Sequence, residues 1–189
     1  YSLIPNSVDE HVVLDFVLHK ELKSTIDLVL FIADVENLQR TMLLFSQIKD
    51  LGLPVVLVIN MSDRMDVKGI SIDVEVLATK LKSQVLLISA KKSIGLDELK
   101  NLIVNSEEIG TEPLVDLKQI DKHYFEKLEK YQPDDNLYVK WLRNIHSIWD
   151  GTIPPSEIIL DKLDKRHLQQ KETIYRHKFI NEIIAKTIT

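Results

Sequence analysis

Three short apolar runs constrain this chain more than any other feature. Residues 26–33 read IDLVLFIA and close on Asp34, residues 54–59 read PVVLVI, and residues 85–88 read VLLI. Each run is continuous, not alternating, which is the pattern of a strand buried on both faces. Helical spacing fills the gaps. Residues 37–51 carry Leu38, Met42, Leu43, Phe45 and Ile48, then stop at Gly52. Residues 72–81 and 96–104 read as further helices, the last opening with Asp97 and Glu98. Regular alternation of strand and helix calls for an α/β fold with a parallel sheet and crossover connections. Ligands of such open sheets bind beyond the carboxyl ends of the strands.

The loops at those ends carry chemistry. Asn60-Met61-Ser62-Asp63 follows the second run directly. Asn, Ser and Asp all favour turns, so the segment also serves as a plain strand end. Its sharper reading is base recognition. A carboxylate at Asp63 can accept hydrogen bonds from the N1 and N2 donors on the edge of guanine. Adenine lacks that pair and would leave a desolvated carboxylate unpaired, which is costly. The Asn60 amide can bond the base and tie neighbouring loops together. The third run ends in Ser89-Ala90-Lys91, and in GTP-binding proteins such a loop brings a backbone N–H to guanine O6. Two strands, each with a base-reading loop, separated by one helix, have the spacing of a single crossover unit.

The remaining sequence bounds the answer. The chain has 189 residues and a net charge of −5, which argues against a broad nucleic-acid surface. It has no cysteine, so disulfides, thiolate metal sites and cysteine nucleophiles are excluded. No stretch approaches the ~18–20 apolar residues that span a bilayer, and no signal segment opens the chain. The chain itself is expected to be soluble. Ser7-Val8-Asp9-Glu10 is a capping box for a helix over about residues 8–20. Residues 106–113 are polar, contain Gly and Pro, and read as a linker. From Asp116 onward only helical spacing remains: Leu117, Ile120, Tyr124 and Leu128, then Trp141, Leu142, Ile145 and Ile148. Ile158, Ile159 and Leu163 follow, and Ile174, Phe179, Ile180, Ile183 and Ile184 close the pattern. This predicts a small all-α bundle of about seventy residues. The six histidines lack paired metal-ligand spacing with carboxylates, so no metal site is expected. Asp134-Asp135 reads as a turn, Lys162, Lys165, Arg166 and Lys171 as a solvated helix face, and Trp141 and Trp149 as core.

With both loops placed, the residues around them resemble a known family. Asp34-Val35-Glu36-Asn37-Leu38-Gln39-Arg40 and Leu51-Gly52-Leu53-Pro54-Val55-Val56 resemble segments of the prokaryotic ferrous-iron transport protein B. So do Lys68-Gly69-Ile70, with Ile72-Asp73, and Ser89-Ala90-Lys91-Lys92, with Gly95-Leu96 and Glu98-Leu99. That family has Asn-Met-x-Asp where most GTPases have Asn-Lys-x-Asp, and Met61 fits. Tyr1-Ser2-Leu3 is similar to its segment after the Asp-x-Pro-Gly switch, and Tyr175-Arg176-His177-Lys178-Phe179-Ile180 to the run closing its helical domain. The resemblance implies a partial P-loop GTPase, residues 1–105, a linker over 106–113, and a helical, affinity-tuning domain over 114–189. It implies GTP or GDP as the bound cofactor and the transporter's own membrane domain as partner, with a homo-oligomer also compatible and no nucleic acid. It places the chain on the cytoplasmic side of the bacterial inner membrane, with GTP binding and hydrolysis linked to Fe(II) uptake. By carry-over, Asn60 and Asp63 read guanine, Ala90 offers its N–H, Ser89 shapes the loop, and Met61 and Lys91 flank the base. Met61 can only pack, where Lys would also brace the phosphate loop.

What is absent is equally informative. No Gly-x-x-x-x-Gly-Lys-Ser/Thr occurs, so the phosphate cradle is missing. Asp66-Val67-Lys68-Gly69 matches Asp-x-x-Gly formally but follows Asn-x-x-Asp, the wrong order for a switch. Magnesium is expected only with the missing upstream portion, and no catalytic residue is assigned here. The strand at 26–33 would then show an unpaired edge, which another portion of the natural protein is expected to cover. Two further readings stand beside this one: a nucleotide-independent helical interaction module, and a different GTPase of the superfamily, such as a ribosome-assembly GTPase.

Overall fold

A computed structural model describes residues 3, 18, 25–106, 109–131, 136–148 and 154–189. Three parallel strands form one sheet in the order β1-β2-β3: β1 Val29–Asp34, β2 Val55–Asn60 and β3 Gln84–Leu87. Val29 pairs with Val55 and Asp34 with Asn60, while Val56 pairs with Gln84 and Ile59 with Leu87. The central strand is the most deeply buried, with no solvent exposure from Val55 to Ile59. Its side chains alternate between two apolar clusters. Val55, Leu57 and Ile59 join the larger one, and Val56 and Val58 join a smaller one with Ile88 and Ile109. Burial on both faces is why this run reads as continuously apolar.

Helix α1, Leu38–Asp50, covers the larger cluster through Leu38, Met42 and Phe45. Phe45 meets Phe31 of β1 edge-on at 5.5 Å. A 3-10 turn, Val35–Asn37, precedes it. A one-turn helix, α2 Met65–Lys68, follows β2 and ends on Gly69 at φ 65°. Then come α3 Val74–Leu81 and α4 Leu96–Val104. Leu96, Leu99 and Leu102 of α4 pack on the smaller cluster. Beyond residue 113 the described structure is helical: α5 Lys122–Lys130, α6 Leu137–His146 and the long α7 Lys162–Thr187. Trp141 is fully buried and meets Phe125 at 5.5 Å and Tyr124 at 5.9 Å, both edge-on.

Helix α7 has 26 residues, about 39 Å at 1.5 Å per residue. It buries Leu168, Glu172, Arg176, Ile180, Ile183 and Thr187, a stripe at nearly constant i, i+4 spacing. That stripe lies against α1 and α3. Arg176 is wholly buried: Nη1 donates to Asp50 Oδ2 and Nε to Glu172 Oε1, each at 2.7 Å, and its guanidinium lies 4.9 Å from the Tyr138 ring centre. Asp50 Oδ1 also accepts the Leu114 and Val115 N–H groups at 2.5 and 3.2 Å. Lys49 donates to Gly110 O at 2.6 Å, and its burial pushes the amine below its ordinary value against the opposing pull of Glu112 and Asp50. The polar segment before Leu114 is thus anchored at α1.

Several boundaries differ from the sequence reading for local reasons. The first strand begins at Val29, not Ile26, because its partner begins at Val55. Pro54 has no N–H to give, and its C=O accepts Val29 N–H at 2.8 Å. The third strand begins one residue early, at Gln84, opposite Val56. Helix α3 begins at Val74 and not at Ile72. Asp73 caps it by accepting Val76 N–H at 3.0 Å, and Ile72 instead forms an antiparallel bridge with Ile188. Ile159, Leu163 and Ile174, read as core, are 50%, 74% and 69% exposed. The expected helix over 8–20 lies outside the described residues except Leu18, which is helical and buried. Asp134, Asp135 and Trp149 also lie outside them.

Candidate functional site

The two motif loops meet at the carboxyl end of the sheet. β2 ends in Asn60, and Met61 turns the chain with φ 65° and ψ 32°. This left-handed residue starts a 3-10 turn, Ser62–Arg64, and aims Asp63 back across the strand ends. Ser62 N–H donates to Ile88 O at 3.0 Å, so the loop leans on the next strand. On that side Ser89 caps its own 3-10 turn, Ala90–Lys92, by accepting Lys92 N–H at 3.3 Å. Ser89 and Ile94 exchange N–H···O bonds of 3.0 and 3.1 Å, which closes the loop. Gly95 then enters α4 at φ 72°. A Cβ there would lie 2.6 Å from Leu87 O, so only glycine fits.

Side chains knit the loops together. Ser89 Oγ donates to Asp63 Oδ1 at 2.6 Å, and Ala90 N–H donates to Asn60 Oδ1 at 3.1 Å. Lys92 Nζ lies 3.9 Å from Asp63 Oδ2. The Ser89 hydroxyl, with help from Lys92 and Lys91, holds the Asp63 carboxyl below its ordinary value despite some desolvation. Asp63 is therefore an anion at neutral pH. Each of its oxygens has two lone pairs, so the Ser89 bond leaves acceptor capacity for a paired N–H donor edge.

A cavity of about 550 Å³ opens between the loops. It is lined by Asn60, Met61, Asp63, Ser89, Ala90 and Lys91, the six residues named from the sequence, together with Arg64. That volume is within the range of small-molecule sites. Arg64 belongs to no part of the Asn-x-x-Asp motif and was missed. So was Glu36, which meets Arg64 from the β1 side with Oε1 at 2.8 Å from Nε. Ala90 N–H, which the resemblance assigns to the base, here joins the two loops through Asn60. Asp66 to Lys68 lie within α2, and Gly69 is its left-handed cap. Among the described residues, no cluster of three or more His, Asp or Glu is arranged to hold a metal ion.

Comparison with known proteins finds similar sequences and a similar overall fold. The family model described as ferrous iron transport protein B matches residues 1–103. An Fe(2+) transporter FeoB of Legionella pneumophila is 35% identical over 112 residues, which is 57% of this chain and 14% of that protein. That of Leptospira biflexa is 26% identical over 183 residues, 86% of this chain and 26% of its own length. The chain thus spans about a quarter or less of these relatives. Among solved structures, the cytosolic domain of T. maritima FeoB in apo form superposes with a TM-score of 0.83 at 21% identity, covering 100% of this chain and 77% of that one. Its GMPPNP form gives 0.81 at the same identity and coverage. The cytosolic domain of L. pneumophila FeoB gives 0.74 at 27% identity, again covering 100% and 77%.

Proposed function

The chain belongs to the ferrous iron transport protein B family, and on that premise we propose that its two strand-end loops bind a guanine nucleotide. Asp63 accepts the N1 and N2 donors of the base. Asn60 holds the loops and presents its amide at the rim. Ala90 N–H is shared between Asn60 Oδ1 and the base carbonyl, Ser89 orients Asp63, and Met61 and Lys91 flank the ring. The observation that carries this reading is the cavity lined by all six residues, with an ionised Asp63 fixed by Ser89. The GDP- and GMPPNP-bound forms among the similar structures support it.

The wider role follows the same lines. Residues 1–105 form the carboxyl-terminal portion of a G domain, 106–113 a linker and 114–189 a helical domain that tunes nucleotide affinity. Together they belong to the cytoplasmic region of a ferrous-iron transporter, on the inner face of the cell membrane, and couple GTP binding and hydrolysis to Fe(II) uptake through the membrane domain. None of the described helices is long and apolar enough to cross a membrane. The chain has no Gly-x-x-x-x-Gly-Lys-Ser/Thr, so phosphate and magnesium contacts come from another portion, and no hydrolytic step is assigned to these residues.

Titration of the chain with GDP and ADP tests the reading. A hydrogen bond to a charged group contributes about 1.5–3 kcal/mol, so the lost donor pair, about 3–6 kcal/mol, is worth roughly a hundred- to ten-thousandfold preference for GDP. Asp63→Ala should abolish that preference. Equal binding of GDP and ADP by the unaltered chain would overturn guanine recognition and leave the helical interaction module as the better account.

A further inference from the structure

The cavity has a cation that the motifs do not name. Arg64 follows Asp63 on the same 3-10 turn and lines the same space. Its guanidinium is held from behind. Nε lies 2.8 Å from Glu36 Oε1, while Glu36 Oε2 lies 3.2 Å from Lys68 Nζ. Glu36 belongs to the 3-10 turn at the carboxyl end of β1, so all three strands send a loop to this site. That turn is itself fixed. Asp34 Oδ1 accepts Glu36 N–H at 2.9 Å, and Asp34 Oδ2 accepts the Asn37 amide at 3.0 Å.

A guanidinium is a planar fork of five N–H donors, and it stacks readily on aromatic faces. Holding its Nε edge leaves the flat face and the far donors for a ligand. Met61 supplies dispersion contacts and no charge, so the positive charge on the cavity wall comes from Lys91 and Arg64. Lys91 ends in a flexible point charge, whereas Arg64 is braced from a second element.

We infer that Arg64 is a further nucleotide-contacting residue, a planar cation laid against the purine ring, and that Glu36 is its positioning residue. This inference rests on the guanine reading of the pocket. It adds a contact that does not discriminate among purines, since every purine has an aromatic face, whereas Asp63 reads the edge.

The test titrates the full chain with GDP and with inosine diphosphate, which lacks the 2-amino group, following backbone amide shifts by NMR. Arg64→Ala should weaken both ligands alike, by about two- to fivefold for a partly exposed cation–π contact. The GDP/IDP ratio, which reports Asp63, should not change. Glu36 lies outside the cavity, and Glu36→Gln should produce part of the same loss, but none in the Arg64→Ala background. Arg64→Lys should recover only part of the affinity. Unchanged GDP binding by Arg64→Ala would overturn the inference, as would a changed GDP/IDP ratio, which would mean that Arg64 acts through Asp63. Because the phosphate contacts lie outside these residues, the titration runs to millimolar nucleotide, where base contacts alone register; absence of any GDP response there would overturn the pocket reading and this inference with it. If Arg64→Ala failed to fold, Glu36→Gln alone would decide, because full affinity in that variant contradicts the positioning role.

Discussion

Arg176→Met is a severe perturbation that lies outside the pocket. The substitution keeps much of the side-chain volume and removes the charge. Arg176 is the positive member of a cluster with Asp50 and Glu172, and all three are at most 1% exposed. Without it, two carboxylates stay buried with no cation. Breaking a buried pair in this way costs about 3–5 kcal/mol, a large share of a typical total stability of about 5–15 kcal/mol. With a urea dependence of roughly 2 kcal/mol per molar, the unfolding midpoint should fall by about 1.5–2.5 M. Asp50→Asn should cost less, about 1–3 kcal/mol. It keeps an acceptor for the Leu114 and Val115 N–H groups, and Glu172 still pairs with Arg176. Combining the two substitutions should cost less than the sum, because Asp50→Asn removes one of the two carboxylates that Arg176→Met strands. Burial disfavours the charged guanidinium, but Tyr138, Glu172 and Asp50 outweigh it and raise its pKa above the ordinary value. A raised pKa gives stability that is present at every lower pH and lost only on rising through it. The Arg176 contribution of the unaltered protein is therefore fully present throughout the neutral range. A midpoint shift under about 0.5 M, or additive single variants, would refute this account of the cluster.

Two other outcomes follow from single contacts. Gly95→Ala must hold φ near 72° with its Cβ 2.6 Å from Leu87 O. It should lose about 1–3 kcal/mol in the same urea assay, and a loss below about 0.5 kcal/mol would show that the turn relaxes. Tyr124 is pushed up to about 12, mainly by burial and against the hydrogen bond from Asn144. A phenol neutral in the folded state and ionised near pH 10 when unfolded contributes stability below pH 10 that is lost between about pH 10 and 12. A displacement of that size corresponds to about 2–3 kcal/mol. Phenolate absorbance should thus show a late-titrating tyrosine, and Tyr124→Phe should shallow the alkaline fall in stability.

How much of this was legible in the sequence depended on range. The sheet was legible because β2 is buried on both faces, and a run such as PVVLVI has few other uses. The six pocket residues were legible because each loop's chemistry is local. Asn60 to Asp63 spans four residues, Ser89 to Lys91 three, and the alternation of strand and helix brings the loops side by side. Helix α7 was legible as a helix but not in its orientation. Ile174 belongs to an apolar pattern and is exposed, while Glu172 and Arg176 look like surface charge and are buried. Their burial follows from Asp50, which lies 126 residues from Arg176. No periodicity carries that information, because the pairing is a property of the folded arrangement. Glu36 and Arg64 escaped notice for the same reason: each is an ordinary surface residue until the other is in place.

The far end of α7 shows the same principle in backbone form. The last carbonyls of a helix have no partner within it. Here Thr187 O accepts Asp73 N–H at 2.9 Å, while Thr189 and Ser71 exchange bonds of 2.7 and 3.0 Å. The segment that makes these bonds follows α2, which follows Arg64 directly. The closing turn of the helical half is therefore tied, through a short stretch of chain, to Asp63. It was this pairing that drew Ile72 out of the helix its spacing suggested: Ile72 and Ile188 sit opposite each other at the centre of a short antiparallel bridge. An isolated hairpin is marginal in water, and so is an isolated bridge of this kind. This one persists because α7 already lies against α1 and α3, held there by Arg176, Ile180 and Ile183. The buried charge cluster and the terminal bridge are thus two ends of one attachment, and removing the first should loosen the second.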